Sequence, residues 1–196
     1  MLEGGLADDN KYSWIWRKQG KLSLSLAKKD RPDEEIYGKT YSYTSAQPDA
    51  VLDHYRMVVS KEINHGNKVG IIGTSWGGFF AYCLNAEFPE LNTILINSML
   101  NPHLTDIRKY IPDRIFMNYF KLFGEHALRH NNKSIKVIIG ADDEVFEHKY
   151  LTEPMFDQCA ICKYEGLTHH FDIGEHHEIQ SVVLNHLGKR FEFIDL

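Results

Sequence analysis

The stretch Lys68-Val69-Gly70-Ile71-Ile72-Gly73-Thr74-Ser75-Trp76-Gly77-Gly78 carries an apolar run of strand type through a serine into a segment of helix type. Its centre, Gly73 to Gly77, has the form G-x-S-x-G. This is the sequence form of a strained strand-to-helix turn that lifts a serine hydroxyl clear of a sheet. In so tight a turn a side chain at Gly73 or Gly77 would press on its neighbours. A serine held this way implies acyl transfer through a covalent intermediate. It also requires an Asp or Glu, and then a His, further along the chain.

Outward from that turn, short apolar runs alternate with segments of helical period. Ahead of it, Pro48 suits a first helical turn, and Val51, Leu52, Tyr55, Val58 and Val59 recur at three- and four-residue spacing. A helix is therefore expected from the 45–49 region to about Ile63, stopped by His65-Gly66-Asn67. Behind the turn, 77–87 reads as a helix ending before Pro89, and 93–97 as a strand. Residues 134–140 (Ser-Ile-Lys-Val-Ile-Ile-Gly) form a clear strand, 160–164 a last strand, and 179–191 a closing helix. The 99–132 segment, with Pro102 and Pro112, is expected to hold two helices and to form a small cap over the site. Strands that alternate with helices in this way build a mostly parallel sheet, here of five to seven strands, covered on both faces.

The N-terminal part is less regular. Residues 11–18 carry Tyr12, Trp14, Ile15 and Trp16 and could form a short helix. Leu22-Ser23-Leu24-Ser25-Leu26 alternates with period two, which favours a strand, although a helix broken at Gly20 also fits. Thr40-Tyr41-Ser42-Tyr43 is β-prone.

Size and composition set bounds. The 196 residues fit one domain, 1–196, with 43% apolar and 25% charged residues, as in an ordinary globular protein. A formal net charge of −5 gives no support to a nucleic-acid partner. No stretch reaches the ~18 apolar residues of a membrane span, and residues 1–9 lack the features of a signal peptide. Cys83, Cys159 and Cys162 make an odd count without a disulfide framework, so a cytoplasmic setting is expected.

The required acid and base both have candidates in the required order. Gly140-Ala141-Asp142-Asp143-Glu144-Val145 follows one strand, and Glu165-Gly166-Leu167-Thr168-His169-His170-Phe171 follows the last. Loops at the carboxyl ends of parallel strands are where sites assemble. Asp142 and Asp143 are both placed to be the acid, and either could instead cap a following helix. His169 and His170 compete for the role of base, because adjacent side chains in a tight loop point apart.

With those motifs in view, the chain resembles small α/β-hydrolases of the bacterial YqiA/YcfP-type esterase group. The similar segments are Gly70 to Ala81, Ile96-Asn97-Ser98 with Asn101-Pro102, the Asp143-Glu144-Val145 triplet, and Gly166 to Phe171. The layout is similar from about Thr40 onward. The resemblance implies an α/β-hydrolase fold and hydrolysis of an ester or thioester. By motif it makes Ser75 the nucleophile, Asp143 the acid and His169 the base. It implies no cofactor, and as partner only a small-molecule acyl substrate.

The start of the chain departs from that group, whose members open with a strand leading into His-Gly-Phe or His-Gly-Gly. Here Leu2-Glu3-Gly4-Gly5-Leu6 has Glu in place of that His and almost no strand before it. The backbone N–H of Trp76 is the first oxyanion donor, with Gly4 or Gly5 as the second. Trp76 is also expected to line the acyl pocket, and Phe79, Phe80 and Tyr82 to fill the core or wall the site. The rival to an enzyme is a hydrolase-like binding protein without catalysis, prompted by Glu3. Cys159-x-x-Cys162 with nearby histidines invites a zinc site, but ligands spread along a strand face opposite ways, so no metal is expected. His103, His126, His130, His176 and His177 read as surface residues.

Overall fold

The computed structural model describes residues 2–7, 12–15, 46–66, 68–109, 111–127 and 132–187. Among the described residues, six strands form one sheet: β1 (Leu2–Ala7), β2 (Tyr12–Ile15), β3 (Lys68–Thr74), β4 (Asn92–Ile96), β5 (Ile135–Gly140) and β6 (Ile161–Tyr164), in the order β2-β1-β3-β4-β5-β6. The pairs from β3 to β6 are all parallel. β1 runs antiparallel to both of its neighbours. The mostly parallel sheet expected from the alternating pattern is thus present.

The central strands are apolar on both faces because both faces are covered. Ile71, Leu95, Val137 and Ile139 project to one side, into a core shared with α1 (Pro48–Asn64), α2 (Trp76–Glu87) and α3 (Asp113–His126), the last packed on the other two helices. Ile72, Ile94, Ile96 and Ile138 project to the other. There they pack on Ile179 and Val183 of a closing helix that spans His177–Leu187. This period-two division splits each run between two hydrophobic layers. Among the described residues, no helix is long and apolar enough to cross a membrane.

α1 begins with Pro48 in its first turn and buries Val51, Leu52, Tyr55 and Val59. The 99–132 segment differs from two full helices. Two single-turn 3₁₀ helices, Pro102–Leu104 and Asp106–Lys109, precede α3. α3 buries Ile115, Tyr119, Leu122 and His126 against α1 and α2. His126 is therefore no surface residue, being only 4% exposed. Its Nε2 lies 2.8 Å from Glu87 Oε1, while Arg56 Nε and Nη2 donate to Glu87 Oε2 and Oε1 at 2.6 Å each. One carboxylate at the end of α2 thus clasps α1 and α3. His103 and His177 are exposed and His176 is partly so; His130 lies outside the described residues.

The N-terminal expectations need correction. Residues 12–15 form a strand, β2, and not part of a helix; their aromatic and β-branched residues favour an extended chain beside an open edge. Glu3, Gly4 and Gly5 lie inside a six-residue strand opposite Ile72, Ile71 and Gly70. Two glycines hid that strand, since glycine is depleted in strands, but antiparallel pairing on both sides supplies its ladder. The runs 22–26 and 40–43 lie outside the described residues.

The three-helix clasp makes stability depend on pH in a definite direction. Burial alone would raise the Glu87 carboxyl, but the hydrogen bonds with Arg56 and His126 prevail and lower it from 4.5 to about 2. A depressed acid contributes stability above its unfolded value, so this contribution is lost as pH falls from about 4.5 towards 2. His126, raised chiefly by its bond to Glu87, contributes below 6.5 and loses that contribution as pH rises through its folded value. Urea unfolding of Glu87→Gln should show a loss of about 1–2 kcal/mol at pH 6 and a shallower decline below pH 4.5 than wild type. An unchanged acid-side slope would refute the assignment.

Candidate active site

Ser75 stands at the junction of β3 and α2 with φ 53° and ψ −122°. A β-carbon residue held there costs of order 1–3 kcal/mol, so the surroundings must impose the conformation. Ser75 N donates to Ile96 O at 3.0 Å, and Ser75 O accepts from Gly78 N at 3.1 Å and Met99 N at 3.0 Å. The junction also needs Gly73 to be bare. A Cβ on it would meet Ala81 Cβ and Gly78 Cα at 2.6 Å and Gly77 O at 2.8 Å. The G-x-S-x-G turn is present as its sequence implied.

The loops after β5 and β6 meet Ser75. His169 Nε2 lies 3.0 Å from Ser75 Oγ, and His169 Nδ1 lies 2.9 Å from Asp143 Oδ2. The His169 and Asp143 side chains are 3% and 2% exposed. Burial pushes the Asp143 carboxyl up. Hydrogen bonds from His148 and His169 and from the N–H groups of Phe146 and Val145 outweigh it, holding the group well below the ordinary carboxylate range. An ionised Asp143 requires a proton on His169 Nδ1, so Nε2 accepts from the serine hydroxyl. The line of groups can pass a proton from oxygen to imidazole and keep the resulting cation beside a fixed anion.

The neighbouring candidates do other things. Asp142 is exposed, and its Oδ2 accepts from Gly166 N at 2.9 Å, tying the loop after β5 to the turn after β6. His170 is exposed with its ring centroid 4.6 Å from that of His169. Gly4 sits inside β1 opposite Ile71. That is about 13 Å down the sheet from Ser75 at ~3.3 Å per residue, with its backbone within the antiparallel ladder. Trp76, the first residue of α2, packs its ring edge-on to Tyr119 of α3 at 5.3 Å. Phe79 and Phe80 surround the same tyrosine at 5.0 and 5.9 Å, and Phe79, Phe80 and Tyr82 are all core residues. Cys159 lies in a 3₁₀ turn and Cys162 in β6. No group of three or more potential metal ligands occurs among the described residues.

The roles of several supporting residues escaped the sequence reading. Asn97, fully buried with φ 42°, donates from Nδ2 to the carbonyls of Thr168 and His169 at 3.0 Å each. Its Oδ1 accepts from Gly140 N at 2.8 Å, and its own N–H donates to Ile138 O at 3.0 Å. One side chain therefore joins the ends of β4 and β5 to the histidine loop. An Asn directly after a buried strand was the available signal, since Asn tolerates positive φ better than most residues. Glu144 Oε2 accepts from His169 N at 3.0 Å, which lowers the Glu144 carboxyl. His148 and Thr152, both buried, lie behind Asp143; they had no motif to announce them.

No protein-family model matches the chain, and no curated protein sequence does. Among solved structures, the chain is similar to an α/β-hydrolase enzyme from a metagenome of lagoon sediments at Mar Chica, Morocco. Identity is 15%, 93% of this chain and 92% of that one are covered, and the TM-score is 0.50. It is also similar to a protein of Acinetobacter baumannii described as a lipase, at 15% identity and a TM-score of 0.41, over 76% of this chain and 67% of that one. The first likeness, with the sheet and helix layers above, shows the α/β-hydrolase fold.

The packing of the loops gives two measurable consequences. A Cβ on Gly140 would overlap Leu167 O and come within 2.8 Å of Thr168 O, both backbone atoms of the histidine loop. Gly140→Ala should therefore cost about 1–3 kcal/mol and increase amide exchange at 167–170. Asn97→Ala, which strips the partners from buried backbone groups, should cost about 3 kcal/mol in denaturant unfolding. Near-wild-type stability in both would show that the loop is not held from beneath.

Proposed function

We propose that the chain is a serine hydrolase that cleaves a carboxylic ester or thioester through an acyl-enzyme intermediate. The observation that carries this is the continuous line from Ser75 Oγ to His169 Nε2 at 3.0 Å, and from His169 Nδ1 to Asp143 Oδ2 at 2.9 Å. In the proposed reaction His169 takes the serine proton as Ser75 Oγ attacks the acyl carbon. Asp143 keeps the imidazole in the right tautomer and stabilises its cation. His169 then returns the proton to the leaving oxygen or sulfur, and later activates the water that releases the acid.

The backbone N–H of Trp76 is the proposed oxyanion donor, helped by the positive end of the α2 dipole. The position of Gly4 within β1 speaks against a part for it there. Trp76 is proposed to line the acyl pocket, with Tyr119 packed behind its ring, and the 99–132 segment is proposed to cap the site within a single domain. The partner is a small acyl substrate. The quoted motifs support a finer kinship with YqiA/YcfP-type esterases. Acyl transfer to an alcohol would use the same groups.

A fluorophosphonate probe tests the assignment directly. It should label wild type and leave Ser75→Ala unmarked. His169→Ala and Asp143→Asn should each slow hydrolysis of 4-nitrophenyl acetate by about 10³-fold or more. A folded wild type that neither labels nor turns over the ester would sink the proposal and leave a binding protein on a hydrolase scaffold.

A further inference from the structure

Asp143 is held by more donors than the line to Ser75 requires. Its Oδ1 accepts from Val145 N at 2.8 Å and Phe146 N at 3.0 Å. Its Oδ2 accepts from two imidazoles, His169 Nδ1 at 2.9 Å and His148 Nε2 at 2.7 Å. The His148 side chain is 3% exposed. Phe146 lies edge-on to both rings, its centroid 6.0 Å from that of His148 and 5.2 Å from that of His169. The backbone fixes one carboxylate oxygen, and the two histidines flank the other.

His148 is itself held. Its Nδ1 lies 2.9 Å from Thr152 Oγ1, and that hydroxyl lies 3.4 Å from Ser98 O. With Asp143 ionised, His148 Nε2 carries a proton. Nδ1 and the Thr152 hydroxyl face each other at the far side of the ring, so a hydrogen bond holds each of its two nitrogens. Ser98 in turn anchors to the strand that bears the nucleophile, its Oγ donating to Gly73 O at 3.1 Å. The neighbouring Met99 N donates to Ser75 O at 3.0 Å. The chain of contacts that starts at Ser75 and runs through His169, Asp143, His148 and Thr152 thus returns to the segment that holds Ser75.

We propose that His148 is a positioning residue for Asp143, pinning Oδ2 where His169 needs it and locked in that task by Thr152. A carboxylate whose Oδ2 had only His169 for a partner could follow that ring as it moves between serine and leaving group. With a second imidazole on the same oxygen, Oδ2 stays in place and His169 moves against a fixed acceptor. The role rests on the hydrolase assignment above, but its structural core, the hold on Asp143, is measurable without turnover.

The test compares wild type, His148→Leu, His148→Gln and Thr152→Val, each checked for folding by circular dichroism melting. Low-field proton NMR of the ring N–H groups reads the His169–Asp143 bond, and 4-nitrophenyl acetate hydrolysis reads kcat and KM. In His148→Leu the His169 ring proton should shift from its wild-type position, and kcat should fall about tenfold with KM unchanged. His148→Gln, which keeps an N–H for Asp143, should recover most of both. Thr152→Val should shift them in the same direction by less, and it decides the matter if His148→Leu does not fold. An unmoved His169 signal in a folded His148→Leu, or a His148→Gln protein as impaired as His148→Leu, overturns the proposal. Wild type that neither labels nor hydrolyses fails the hydrolase assignment instead, and the ring-proton comparison still decides whether His148 holds Asp143.

Discussion

The side-chain amide of Asn97 holds three chain segments together at the carboxyl end of the sheet. It accepts from Gly140 N and donates to Thr168 O and His169 O, while its own backbone N–H is bonded to Ile138 O. A loop leaving a parallel strand has no ladder to satisfy its polar backbone groups, and buried ones are costly unless paired. One buried amide, with donor and acceptor on the same plane, meets that need for two loops at once. The bare face of Gly140 lets the histidine loop come close enough for it. The spacing between His169 and the strand that carries Ser75 follows from these contacts, before any contact between the two side chains is counted.

Around that anchor the two layers have different duties. The layer of α1, α2 and α3 contains most of the buried apolar residues and backs the strained turn at Ser75. Its helices are clasped at one end by Glu87, Arg56 and His126, so the helix that begins with Trp76 is pinned where it ends. The opposite layer is thinner, with Ile179 and Val183 over Ile72, Ile94, Ile96 and Ile138. The polar residues behind Asp143 belong to neither. They form a buried network of imidazoles, a hydroxyl and a carboxylate in which nearly every group has one job and one partner on each side. Such networks tolerate little, because removing one member leaves another unpaired in a low dielectric.

Much of this was legible in the chain. The apolar runs at 68–73, 93–97, 134–140 and 160–164 announced parallel strands, and their order with the helices announced the layers. The serine turn, the acidic loop and the histidine loop lay in order at strand ends. The N-terminal strands were not legible, because Gly4 and Gly5 lower the local strand preference of β1 and only pairing along both edges restores it. His126 looked like a surface residue because its partner, the partly buried Glu87, is 39 residues away.

The sequence by itself determined the doubly covered sheet and the residue types that meet at its end. Both follow from local rules: hydrophobic period, glycine at a tight turn, and the side of the sheet on which loops emerge. The motif resemblance favoured one neighbour of each pair, but only the tertiary structure shows which of them turns inward. Asp143 and not Asp142 turns inward, and His169 and not His170 faces Ser75. Adjacent residues in a loop are equivalent to any local rule. They become different when Asn97, Gly140 and the donors around Asp143, contributed from separate stretches of the chain, fix which way each loop is turned.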